Sequence, residues 1–170
     1  HILFRLHSSL TGDASGNLYA AFGFSIVKVS ADGTMTTVAG EMDQSGYADG
    51  VGSAARFKRI GGMTTDAAGN LYVADTFNQS IRKVTPAGIV STVVGQAGVR
   101  GVQLGVAGRL NQPVSLAVGT RHGRPALFIL NRTHQWDWQK SVAYPYLEGA
   151  DYPPGLYGQS DVNVVSVPLP

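Results

Sequence analysis

The chain has 170 residues, 44% hydrophobic and 14% charged, with 22 glycines and no cysteine. That is the size of one domain with its own core; the low charge argues against disorder, and the glycines point to many tight turns. Thirteen basic against 11 acidic residues leave a net charge of +2 with no basic run for nucleic acid, no stretch approaches the ~20 apolar residues of a membrane span, and the missing cysteines exclude disulfides, thiolate metal sites and cysteine catalysis.

The chain opens on His1 without a signal-peptide pattern, as expected of a processed or partial chain. Ile2–Leu10 is predicted as a first strand. Asp13–Tyr19 then reads DASGNLY and returns as DAAGNLY at Asp66–Tyr72, 53 residues on. Ser25–Gly40 (SIVKVSADGTMTTVAG) is answered by Ser80–Gly95 (SIRKVTPAGIVSTVVG), 55 residues on. The two extra residues fall in the loop between the blocks, where length changes disturb a fold least.

The second copy resolves into four predicted strands: Gly61–Thr65, Leu71–Ala74, Ser80–Thr85 and Ile89–Val94. Asp66–Gly69 and Pro86–Gly88 supply the turns, because Pro sets φ and Gly accepts positive φ. Leu71–Ala74 is almost continuously apolar, as in a strand buried on both faces. A four-stranded unit repeating every 50 or so residues predicts β-propeller blades. Between the copies, Gly46–Phe57 (GYADGVGSAARF) suits a loop crossing the ring, with Phe57 anchored between blades.

A third, eroded unit follows. Ala107–Leu110 lies 53 residues after Ala54–Phe57, Ala126–Asn131 (ALFILN) replaces Asn70–Asp75, and a longer hairpin is expected over Gly119–Pro125. Trp136–Ser141 is the candidate for its third strand. The expected units are thus 1–40, 41–95 and 96–143. From 144 to 170 the composition shifts to Tyr144, Tyr146, Tyr152 and Tyr157 among prolines, which reads as an extended arm lying on a partner or on an open blade edge. Within it, Val162–Val167 can add to a sheet edge.

The repeat resembles the NHL repeat, on GNLYVAD at Gly69–Asp75, Asn78, Ile81–Val84 and the linker DGVGSAARF at Asp49–Phe57. The resemblance is strong over 13–95 and implies an all-β fold, a partial β-propeller of about three four-stranded blades with an extended C-terminal arm. NHL propellers usually close with six blades. Three leave two blade faces uncovered, so a second copy, the rest of a longer polypeptide or a different protein is expected to cover them. The linker also resembles those of exported bacterial proteins, which implies a location outside the cytoplasm.

Catalytic chemistry finds little support. His1, His7, His122 and His134 lack metal-site spacing, and no nucleophile elbow accompanies a His and an Asp. The glycine-rich stretch 95–108 lacks the ending of a phosphate loop. Asp13 and Asp66 recur as turn residues. Asp75 either points into a central channel or bonds locally. No catalytic, cofactor or metal residue is therefore assigned. Partner contact is assigned instead to Trp136 and Trp138, the four tyrosines, and Arg56 and Arg59 of the linker, whose basic cluster is too small for nucleic acid. The expected role is a non-catalytic interaction module, a structural or accessory subunit of an assembly. The alternatives are a fragment of a six-bladed lyase or hydrolase and a carbohydrate-binding module.

Overall fold

The computed structural model of the chain describes residues 9–99, 110–132 and 162–169. Three antiparallel sheets account for them. The first is a meander of β1 (Leu10–Gly12), β2 (Leu18–Phe22), β3 (Ser25–Val29) and β4 (Met35–Gly40). The second holds β5 (Gly50–Val51), β6 (Ile60–Thr65), β7 (Leu71–Asp75), β8 (Ser80–Val84) and β9 (Ile89–Gly95), in the order β5-β9-β8-β7-β6. The third pairs β10 (Gln112–Arg121), β11 (Arg124–Arg132) and β12 (Val162–Pro168). Among the described residues no helix is long and apolar enough to cross a membrane.

The repeated motif explains the local geometry. Asp13 Oδ1 accepts the Ser15 and Asn17 backbone N–H groups, and its Oδ2 accepts the Asn17 amide and the Tyr19 hydroxyl, all at 2.8–3.0 Å. Asp66 makes the same four bonds with Ala68, Asn70 and Tyr72. Each aspartate thus builds its hairpin and fixes the tyrosine six residues on, which is why the whole string recurs. Register shifts recur as well, between Ile26 and Val27 and between Ile81 and Arg82.

The sheets stack as blades with β6 adjacent to both β1 and β10. Thr65 Oγ1 of β6 donates to the Gly12 carbonyl of β1 at 2.7 Å, and Thr76 Oγ1 donates to the Pro113 carbonyl of β10 at 2.7 Å. At Gly62 the backbones of β6 and β10 come so close that a Cβ would stand 2.6 Å from Ser115 Cα. Two apolar layers fill the gaps. Tyr19, Ala21, Ile26 and Ala39 of the first blade meet Phe57, Ile60, Met63, Leu71, Val73, Val84 and Val90. Tyr72, Ala74, Ile81 and Val94 meet Leu127, Ile129 and Val165 of the third. β7 is therefore buried along its whole length, on both faces.

Three expectations bear on the strand limits. The first described strand, Leu10–Gly12, pairs with β2 across the Asp13 turn and meets the expected Ile2–Leu10 at its last residue; residues 2–8 of that expectation lie outside the described residues. The hairpin expected over Gly119–Pro125 is present, with β10 and β11 paired up to Arg121 and Arg124 around a two-residue turn. His122 and Gly123 both have positive φ there (50° and 73°), as the tightest hairpins require. Finally, the strand expected at Val162–Val167 forms and adds to a sheet edge, as β12 (Val162–Pro168). It pairs along β11 from Ala126↔Pro168 to Arg132↔Val162. The proposed strand at Trp136–Ser141 lies outside the described residues.

Candidate functional site

Two features stand out: an uncovered face on the first blade and a tied-down linker between the first and second. Strand register fixes the face. Leu18 pairs with Val29, and Val29 with Met35, so the three form one row across the sheet. Leu10, Ala20 and Val27 form the next row, in which Leu10 is exposed and Val27 buried. Both rows point away from the second blade, whose contacts are made by the alternate residues Tyr19, Ala21 and Ile26.

The repeat supplies the comparison. The counterparts of Leu10, Leu18 and Met35 are Met63, Leu71 and Val90. These are 6%, 2% and 2% exposed, packed against the first blade, whereas Leu10, Leu18 and Met35 are 65%, 45% and 61% exposed. Composition is alike and environment is opposite. The alignment of the two copies conceals this contrast, since the matching residues are alike and only their neighbours differ.

The linker is held by Arg82, which sequence reasoning passed over. Its fully buried guanidinium donates to Asp49 Oδ1 (2.6 Å from Nη2), to Asp75 Oδ2 (3.0 Å from Nη1) and to the carbonyls of Ala48 and Arg56. It also lies over the rings of Tyr47 and Phe57, at 4.9 and 5.2 Å. The signal was a charge inside a strand, SIRKV, where the first copy has Val27.

Asp75 is enclosed by the same arrangement. It accepts the Lys58 N–H, the Asn78 amide and Arg82, and is fully buried. Burial pushes its carboxyl above the ordinary value, opposed by Asn78, the Lys58 N–H and Arg82. Asp75 itself is thus bonded locally, to the Lys58 N–H, Asn78 and Arg82. At the matching place in the third blade, Asn131 Oδ1 accepts the N–H groups of Asn111 and Gln112.

Arg56 and Arg59 are not brought together. Arg56 bonds Glu41 Oε2 and Gln44 Oε1 at 3.1 and 2.9 Å and the Ser53 and Ala55 carbonyls, folding the linker on itself. Arg59, half-buried, lies 5.1 Å over the exposed Phe77 ring. His122 sits exposed at the β10–β11 turn, and Arg121 bonds Ser166 of β12. Trp136, Trp138, Tyr144, Tyr146, Tyr152 and Tyr157 lie outside the described residues.

No protein-family model matches this chain, and no protein of curated function does. Solved structures are similar to it. A protein of unknown function from Bacteroides thetaiotaomicron is 29% identical, over 67% of this chain and 29% of that one, with a TM-score of 0.57. An auxiliary nutrient binding protein from the same organism is 24% identical over 71% of this chain and 33% of its own, with a TM-score of 0.61. A gluconolactonase from Xanthomonas campestris is 17% identical over 74% and 34%, with a TM-score of 0.50. The chain thus spans about a third of the length of the solved proteins it matches. The stacked antiparallel sheets, joined at β1, β6 and β10, and this likeness to propeller proteins together show that the chain is an all-β partial β-propeller.

Proposed function

We propose that the chain is a non-catalytic interaction module of the NHL type, a structural or accessory subunit of a larger assembly outside the cytoplasm. One observation carries this reading. The first blade presents Leu10, Leu18 and Met35 to solvent at the places where the second blade buries Met63, Leu71 and Val90. A repeat stack ends stably on a polar cap, and an apolar end face marks an interface. The tie between Asp75 and Arg82 adds support, since it commits the inner-strand acid to holding the linker. The NHL assignment rests on the linker and GNLYVAD strings, and the location rests on the linker alone.

The test is native electrophoresis of a tagged chain expressed in its own cells, with the compartments fractionated. The reading expects migration well above 17.9 kDa in an extracytoplasmic fraction, lost on Leu18→Lys. Lactone or glycoside turnover by the purified chain, abolished by Asp75→Asn without unfolding, would overturn it in favour of an enzyme fragment.

A further inference from the structure

We propose that Asp32–Gly33 is a site of spontaneous isoaspartate formation, and that Arg82 shields Asp49–Gly50 from the same chemistry. The site goes beyond the role proposed above and is independent of it.

The sequence contains Asp-Gly twice, each time after alanine: Ala31-Asp32-Gly33 and Ala48-Asp49-Gly50. Asp-Gly is the aspartate dipeptide most open to cyclisation, because glycine has no Cβ to hinder its own nitrogen. The glycine nitrogen attacks the aspartate Cγ, and the new C–N bond closes a five-membered imide. The amide proton and the carboxyl hydroxyl leave together as water. Water then adds back at one of the two imide carbonyls. One opening restores aspartate; the other gives isoaspartate, with the main chain running through Cβ. Two identical tripeptides react alike in an unfolded chain, so a difference between them belongs to the fold.

The fold treats them oppositely. Both carboxylate oxygens of Asp49 are held. Its Oδ1 accepts Arg82 Nε and Nη2 at 3.1 and 2.6 Å and the Thr92 hydroxyl at 3.1 Å, and its Oδ2 accepts the Thr92 N–H at 3.1 Å. Cyclisation would remove one of these oxygens and leave a neutral imide in front of a fully buried guanidinium. A buried charge stripped of a partner is costly. Asp32 lies at the tip of the β3–β4 hairpin, where residues 31–37 are all exposed. Its Oδ1 accepts the Thr34 N–H at 2.9 Å, and the Gly33 N–H donates to the Ser30 carbonyl at 2.8 Å. Opening these two bonds frees both reacting groups without moving a buried side chain, and such local openings cost least. The outcomes differ too. Isoaspartate at 32 lengthens an exposed turn, whereas at 49 it would displace the carboxylate that ties the linker to Arg82.

The test is incubation of the full 170-residue chain near neutral pH, folded and in guanidinium chloride, with samples taken over weeks. Cleavage after Glu41 puts residues 32 and 49 on separate peptides, and electron-transfer fragmentation tells isoaspartate from aspartate. Methyl uptake from labelled S-adenosylmethionine, catalysed by a protein isoaspartate methyltransferase, is the second readout. The proposal expects isoaspartate at 32 to outrun that at 49 by at least about tenfold in the folded chain, and the two rates to agree within about twofold in guanidinium chloride. Asp32→Glu, whose longer side chain closes no five-membered imide, should remove most of the methyl uptake. Arg82→Val should bring Asp49 level with Asp32. Where that variant does not melt cooperatively, Arg82→Lys keeps the charge without the fork and should place Asp49 between the two. Equal rates in the folded chain overturn the proposal, as does a folded chain in which neither residue isomerises. So do the same preference in guanidinium chloride, methyl uptake undiminished by Asp32→Glu, and an Asp49 that stays protected in the Arg82 variants.

Discussion

Arg82 and Asp75 form an ion pair with both side chains fully out of solvent, Nη1 standing 3.0 Å from Oδ2. A buried charge that loses its partner is costly to keep, whereas removing both partners is often tolerated. Arg82→Val places in the second blade the residue that the first blade carries at position 27. We expect it to lower unfolding stability by about 3–5 kcal/mol in urea titrations. Adding Asp75→Asn to it should return part of the loss. A single-variant loss below about 1 kcal/mol would show that the tie to the linker is dispensable.

The two aspartate turns make stability depend on pH at both extremes. The Asn17 side-chain amide is the chief cause holding the Asp13 carboxyl below its ordinary 3.8. At Asp66 burial pulls upward, but the Asn70 bonds and the Tyr72 hydroxyl outweigh it, and its value is lowered too. A depressed carboxyl contributes stability above its unfolded value, and that contribution vanishes as pH falls through the folded one. Tyr19 and Tyr72 are pushed up to about 12, first by burial and then by their aspartates. Their contribution is full below the ordinary value of 10 and disappears as pH rises through about 12. Melting temperature should therefore fall below pH 3.8 and again above 10. In Tyr72→Phe the alkaline fall should shrink, as tyrosinate absorbance can follow.

Gly62 tests the stacking of the blades. Alanine there places a methyl 2.6 Å from Ser115 Cα, so β6 and β10 must part. The expected loss is about 1–3 kcal/mol. Gly12→Ala, whose methyl finds its nearest neighbour at 3.5 Å, is the control and should stay within about 0.5 kcal/mol.

Phe57 fills the space between the first two blades beneath Arg82. Phe57→Ala should cost about 3–5 kcal/mol in denaturant unfolding. A loss near 1 kcal/mol would mean that the linker collapses into the space.

Much of the fold was legible because the repeat aligned two copies of each blade strand. β6 to β9 begin and end within one residue of their predicted limits, for the turn chemistry at Asp66 and Pro86 punctuates them. The third blade was harder. Its turn at His122–Gly123 places a non-glycine at positive φ, a conformation that composition does not announce. Val162–Val167 was legible as an edge-adding strand, but its partner β11 lies across a long interval of sequence, and such pairing has no local signature. Arg82 was overlooked since its partners lie 7 to 34 residues away. The free face was hidden for a different reason: Leu18 and Leu71 are the same residue in the same motif, and only their neighbours distinguish them.

The linker bonds almost wholly to the blade that follows it. Asp49 and the Ala48 and Arg56 carbonyls all meet Arg82, Lys58 N–H meets Asp75, and β5 pairs with β9. A linker with its succeeding blade is therefore the natural unit of exchange. A graft, circular permutation or recombination seam placed at Gly40 carries the whole clasp intact into its new setting. The same cut made at Lys58, although it too falls between two sheets, divides a buried charge cluster between donor and host.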